Sequence, residues 1–208
     1  VIDEEWVVTA AHCMEDLAPT SITYIEAGKH NLYSDGVESR VDFHVEHPLW
    51  NGIDYDIALV HLATPLVFES GKISKIKLAE KAGDPGTQGT LMGFGAKHED
   101  FRYWNSEELM VAKLSIGTDA QCFEANKGVR PIGYFCAGGE QAEGACYGDS
   151  GGPFVGGDCG SLENCYLLGL VSYGSSSGSN SDCHTLGTWS FFDDVTDPVI
   201  FNWIVQET

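Results

Sequence analysis

Gly148-Asp149-Ser150-Gly151-Gly152-Pro153 is the segment from which the rest of the chain can be read. Glycines on both sides of one serine let the backbone bend sharply and leave two amide hydrogens aimed at one point beside the hydroxyl. Such a geometry suits an oxyanion hole. A serine hydroxyl is a weak nucleophile until a base takes its proton, so the segment needs a histidine, and an acidic group to orient it, from elsewhere in the chain.

Two further segments supply them. Thr9-Ala10-Ala11-His12-Cys13 follows the apolar run Trp6-Val7-Val8, which places a histidine just after a buried strand. Asp54-Tyr55-Asp56-Ile57-Ala58-Leu59 offers an aspartate leading into another apolar strand, where a carboxylate is partly desolvated and can accept an imidazole hydrogen. Together, in the order His, Asp, Ser, the three segments resemble the chymotrypsin-like serine peptidase family, and the resemblance runs over nearly the whole chain.

The same serine segment also fits the Gly-x-Ser-x-Gly elbow of α/β-hydrolases, but there the acid and the histidine follow the serine. Only His184 follows Ser150, with no alternation of strands and long helices before it. An isolated histidine is ordinarily a satisfied polar residue of a core or surface. His30, His44, His47, His61, His98 and His184 lack a motif and read that way. Asp54 is a neighbour of Asp56, but the family pattern sets the acid directly before Ile-Ala-Leu.

Around these motifs the chain reads as all-β. It is rich in glycine, with 25 residues, poor in helical periodicity, and carries short β-branched or aromatic runs between turn residues. Strand-like runs fall at 5–9, 22–26, 40–45 and 57–62, then at 90–94, 109–115, 134–137, 166–173 and 187–192. A polar, glycine-rich stretch with Pro85 divides the two sets. The expectation is two packed antiparallel β-barrels, residues 1–80 and 90–208, joined by a linker at 81–89. Thr118-Asp119-Ala120-Gln121 reads as a short capped turn. Asp197-Pro198, followed by Val199, Ile200, Trp203 and Ile204, reads as a short C-terminal α-helix with an acidic start.

The formal charge of -20, from 31 acidic against 11 basic residues, repels phosphate backbones and anionic membrane surfaces, so neither nucleic acid nor membrane is expected as a partner. No apolar run approaches the length of a bilayer span. Seven cysteines without metal-ligand spacing point to an oxidising compartment, hence a secreted, extracellular protein. The odd count and the opening Val1-Ile2-Asp3 suggest an internal start.

The resemblance implies more. His12 would be the general base, Asp56 the group that orients it and Ser150 the nucleophile, forming an acyl-enzyme on protein or peptide substrates. The backbone amides of Gly148 and Ser150 would bind the oxyanion, a contribution of about 3–4 kcal/mol per donor. Ser172 would help hold Asp56, and the backbone of Ser172, Tyr173 and Gly174 would pair with the substrate. The primary pocket would be read at Gly144, next to Ala145, where trypsin-like members carry an aspartate. With Gly174 and Gly187 on its walls, the expected pocket is a deep neutral slot for large apolar side chains. The stretch 175–186 departs from the family in length, which leaves open whether Asp182, Asp193 or Asp194 reaches that pocket.

By the same resemblance, Cys122 pairs with Cys136 and Cys146 with Cys183, while Cys159 and Cys165 look like an additional local pair and Cys13 is left over. Family members are zymogens whose freed amino terminus pairs with the aspartate before the nucleophile, here Asp149. A chain opening at Val1 is accordingly expected to turn over poorly by itself. Protein inhibitors are expected partners and no cofactor is implied. Glu26, Asp35 and Glu38 lie near the family's calcium-binding loop, but solvated carboxylates are ordinary in so acidic a chain, and no metal is assigned. A non-catalytic homologue acting as a binding module is the alternative, though such chains usually lose a triad residue.

Overall fold

The computed structural model describes residues 1–15, 17, 22–97, 105–139, 142–159, 164–175, 183 and 186–208. His98, Asp182 and His184 lie outside them. The first half forms an antiparallel sheet of β1 (Trp6–Thr9), β2 (Tyr24–Ala27), β3 (Val37–Glu46) and β4 (Ala58–Leu62), in the order β1-β4-β3-β2. The second contains β5 (Lys77–Leu78), β6 (Gln88–Gly93), β7 (Met110–Ser115), β8 (Tyr134–Gly138), β9 (Pro153–Gly157), β10 (Cys165–Gly174) and β11 (Trp189–Asp194).

The second sheet runs β7-β6-β9-β10-β11-β8, with β5 laid parallel along the start of β10. A bridge between Ile116 and Ala137 joins the end of β7 back to β8 and curls this sheet on itself. Two curled antiparallel half-barrels result, as the alternating runs predicted. The polar stretch 81–89 connects β5 to β6, and its last two residues belong to β6.

Two strands escaped the sequence reading. β5 has only two residues, too few to show alternation. β9 reads as loop because Pro153 opens it and glycines close it. Proline is tolerated at a strand's first position, and Gly156 leaves room for the Tyr166 ring, which lies 2.5 Å from where a β-carbon would sit.

Strand periodicity explains how the halves dock. Leu59 of β4 points into a cluster with Val8, Val155, Leu167, Leu170, Ile200, Trp203 and Ile204, while its neighbours Val60 and Leu62 fill the first barrel with Leu66 and Ile73. β10 divides itself too, but through its register shift between Leu167 and Gly169: Leu167 and Leu170 face the shared cluster, Leu168 and Val171 the second barrel. Both central strands are therefore buried on both faces.

The shared cluster is closed by helix α2 (Pro198–Glu207). Asp197 caps it by accepting from the amides of Val199 and Ile200, and Pro198 occupies a first-turn position. Ile200, Trp203 and Ile204 then fall on one stripe. Helix α1 (Asp119–Ala125) extends the turn expected at Thr118, whose hydroxyl and the Gln121 side chain form a reciprocal capping box.

Phe135, Phe154 and Phe192 pack together at the centre of the second barrel, with ring centroids 4.6 to 5.6 Å apart. Phe192 is fully buried. Phe192→Ala is expected to cost roughly 3–5 kcal/mol, through lost burial plus the cavity left behind; the shift of the urea midpoint measures it.

Candidate active site

The site begins with a strained turn. Tyr55, a non-glycine residue, sits at φ 58°, which costs on the order of 1–2 kcal/mol. Its ring is held by stacking on His47 at 4.9 Å, and His47 in turn packs edge-on to Trp203. The Asn51 side chain accepts from the amides of Ile53 and Asp54 just ahead of it. The next residue, Asp56, is 1% exposed.

Three donors meet the Asp56 carboxylate. Oδ1 accepts from the His12 amide at 2.8 Å, while Oδ2 accepts from His12 Nδ1 at 2.5 Å and from the Ser172 hydroxyl at 2.5 Å. His12 lies on a single 3-10 turn, Ala11–Cys13, that ends β1. Its bond to Asp56 puts the hydrogen on Nδ1 and leaves Nε2 free to act as a base. Nε2 lies 3.6 Å from Cys13 Sγ. Among the described residues no hydrogen bond joins it to Ser150, a leg that commonly tightens only when substrate is bound.

The hydrogen bond to Asp56 raises the His12 pKa above its ordinary value, and contact with Cys13 adds to the effect. Asp56 and His12 come from the first barrel and Ser172 from β10 of the second.

The serine loop is pinned from two sides. The Gly151 amide donates to the Val171 carbonyl at 2.7 Å, and the Val171 amide to the Gly152 carbonyl at 2.9 Å. Gly151, at φ 75°, presses so closely on β1 that a β-carbon would lie 2.2 Å from Thr9 Oγ1 and 3.0 Å from the Ala10 amide. Glycine is therefore required there, and its absent side chain brings the Ser150 loop against the turn that carries His12. Gly148 adopts φ 92°. Among the described residues, neither the Gly148 nor the Ser150 amide donates to an acceptor. Asp149 points beneath the loop, accepting from the amides of Gly95 at 2.9 Å and Cys146 at 3.0 Å.

Beside Ser150 opens a cavity of about 310 Å³, lined in part by Ala145, Cys146, Ser172, Tyr173, Gly174, Ser175 and Thr188. No carboxylate lines it among the described residues. Gly144 is not in the lining; it backs onto the Ser190 hydroxyl. Gly187, expected on the wall, lies in the turn before β11 and also outside the lining. Because of a register shift between Val171 and Tyr173, Ser190 stands opposite Gly174. Ser190 is buried and accepts from the Ala145 amide at 2.8 Å.

Neither described aspartate that was open for the pocket reaches it. Asp194 accepts from Thr196, and Asp193 is buried near Asp56. Tyr134 is a further member of the network that sequence reasoning missed: its hydroxyl accepts from the Asp56 amide and lies 3.3 Å from Ser172 Oγ. Nothing but a fold brings residue 134 to residue 56.

The disulfides are Cys122–Cys136, Cys146–Cys183 and Cys159–Cys165, and Cys13 is free. At the loop considered for calcium, the Lys29 ammonium donates to Glu26 at 2.6 Å and to the Leu32 carbonyl.

Comparison with known proteins agrees with this architecture. The Trypsin family model matches residues 1–197. Trypsin eta of Drosophila melanogaster is 33% identical over 180 residues, covering 84% of this chain and 65% of that protein. Kallikrein-12 of Homo sapiens is 33% identical over 182 residues, covering 84% of this chain and 68% of its own length. Cationic trypsin-3 of Rattus norvegicus is 30% identical over 212 residues, covering 99% and 77%. The chain thus spans 65% of trypsin eta and about two thirds of kallikrein-12. Among solved structures, mouse brain neuropsin, a serine protease, superposes with a TM-score of 0.83 at 25% identity, over 100% of this chain and 86% of that one.

Since the bond to Asp56 favours imidazolium, His12 should titrate above about 6.5, its usual value. Its contribution to stability is then complete below that value and is lost as pH rises through the folded-state pKa. Imidazole NMR of Asp56→Asn should show His12 titrating at lower pH than in the unaltered protein; an unmoved His12 titration contradicts the coupling.

Proposed function

We propose, for a chain that belongs to the trypsin family of serine endopeptidases, that it hydrolyses peptide bonds through Ser150, His12 and Asp56 by way of an acyl-enzyme. The observation that carries this reading is the Asp56 carboxylate, buried and accepting at once from the backbone amide and Nδ1 of His12 and from Ser172. A carboxylate so held fixes one imidazole tautomer and stabilises the imidazolium that forms when the imidazole takes a proton.

The steps follow from the residues. His12 Nε2 takes the Ser150 proton as Oγ attacks the peptide carbonyl, and the amides of Gly148 and Ser150 receive the oxyanion. His12 then gives that proton to the leaving amine, and water repeats the sequence in reverse on the acyl-enzyme. The Gly148 and Ser150 amides, which meet no acceptor among the described residues, support this role. The edge of β10 from Ser172 to Gly174 borders the cavity and suits pairing with an extended peptide.

The cavity supports a preference for a large apolar side chain before the cleaved bond. Its described lining carries no charge to meet Lys or Arg. A β-carbon on Gly174 would find no atom closer than 3.9 Å, so the wall there is open because the residue is glycine. Three disulfides support secretion. Proteins as substrates, and protein inhibitors that mimic them, fit the same cleft.

The binding-module alternative parts from this reading at one reaction. A fluorophosphonate should label Ser150 covalently, and Ser150→Ala should abolish both labelling and turnover, the latter by a factor on the order of 10⁶. Unlabelled, folded protein would favour the binding module.

Paired Phe and Arg reporter peptides test the pocket: kcat/KM should favour Phe, and Gly174→Val should lower the Phe value by roughly a hundredfold by filling the slot. A clear preference for Arg reverses the assignment.

A further inference from the structure

A second carboxyl group lies beside the first. Asp193 on β11 is 0% exposed, and among the described residues neither of its oxygens has a hydrogen-bond partner. Strand register sets its place, with Leu170 of β10 opposite on one side and Tyr134 of β8 on the other. The ionisable groups that face it are Asp56, Tyr134 and, further off, His12, together with Tyr173 of β10. No Lys or Arg is among them, and His12 is already committed to Asp56.

An ionised Asp193 would set a second negative charge next to Asp56 with no cation facing it, and the nearby Asp56 amide and Tyr134 hydroxyl do not offset its burial. A buried carboxyl in that position keeps its proton. Burial first, and repulsion from Asp56 second, push Asp193 well above the ordinary carboxylate range. A neutral carboxyl has something Asp56 lacks, a hydrogen to give, and the Tyr134 hydroxyl, on the residue directly across the strand pair, is the side-chain group beside it.

We propose that Asp193 is a positioning residue of the triad, a neutral carboxylic acid that donates to Tyr134, so that Tyr134 donates to Ser172 and Ser172 to Asp56. The hydrogen bookkeeping closes. The Tyr134 oxygen accepts from Asp193 and from the Asp56 amide and donates once to Ser172, which is its full capacity. Ser172 is then left with one hydrogen, already directed at Asp56 Oδ2 at 2.5 Å. Without the donor at the far end, Tyr134 and Ser172 are free to turn their hydrogens elsewhere. This proposal rests on Asp56 being the orienting group of the triad.

Its test joins a spectroscopic measurement with a kinetic one. An infrared difference spectrum between the unaltered protein and Asp193→Asn at neutral pH should contain the carbonyl band of a protonated carboxylic acid, shifting in heavy water. A difference made only of carboxylate bands overturns the proposal. Unfolded protein ionises at Asp193 near pH 4 while folded protein does not, so the melting temperature of Asp193→Asn should gain on the unaltered protein from about pH 4 to about pH 8. A shrinking gap overturns it equally.

In turnover, Asp193→Leu should lower kcat about tenfold with KM within about twofold, and Asp193→Asn, which can still donate to Tyr134, should recover most of that loss. Equal losses in the two variants count against the proposal. Should Asp193→Leu fail to fold, the infrared band and the pH trend decide alone. Fluorophosphonate labelling of the same samples separates the failures: absent labelling removes the triad reading, whereas full labelling without the carboxylic acid band removes only the role of Asp193.

Discussion

Everything in this molecule is arranged around one buried carboxylate. Asp56 is withdrawn from water, and a charge so placed is tolerated only if fixed dipoles replace the solvent it has lost. Two donors come from His12 in the first barrel and one from Ser172 in the second. Removing a donor from such a group costs roughly 3–5 kcal/mol when the charge is left uncompensated. The docking of the barrels and the assembly of the site are consequently one constraint, because the carboxylate is satisfied only when β10 lies against the segment that leads into β4.

The apolar seam holds that relation rigid. Leu59 of β4 and Leu170 of β10 share one cluster with the stripe of α2, so the strands adjoining Asp56 and Ser172 cannot slide without opening a core. Close packing also explains the glycines around the serine. Gly151 is needed for contact with Thr9 and Ala10, and that contact brings the Ser150 loop to the turn that carries His12. The same loop lends its carbonyl and amide to Val171. A side chain at 151 would therefore disturb loop and barrel together.

Much of this was legible in the chain because it is local. Glycines about Ser150, a histidine at the end of an apolar run and an aspartate at the start of another are short patterns whose chemistry follows from residue type. The cap and stripe of α2 are equally local. What stayed hidden depends on register. Ser190 stands opposite Gly174, where unbroken pairing would set Trp189, because β10 is bulged between Val171 and Tyr173, a slip that no periodicity announces. β9 was masked by the glycines that make room for Tyr166, and β5 by its length. Tyr134 and Asp193 are harder still: Tyr134 carries no motif and Asp193 was open only for the pocket, and it is the pairing of their strands within the second barrel that turns them toward Asp56.

Asp56 and Asp193 show how environment separates two chemically identical groups. They lie in one buried region, yet one accepts three hydrogen bonds while the other, among the described residues, has no hydrogen-bond partner, and a pair so placed is stable only when the two hold different numbers of protons. On the proposed reading the difference is useful. The carboxyl that keeps its proton becomes a donor itself, and Tyr134 and Ser172 carry that direction to the carboxylate that orients His12. Replacing Asp193 by a hydrophobic residue would relieve the burial of a polar group and still leave Tyr134 without a fixed hydrogen. Stability and alignment would then move in opposite directions, the separation expected of a group kept for where it points a proton and not for what it adds to the fold.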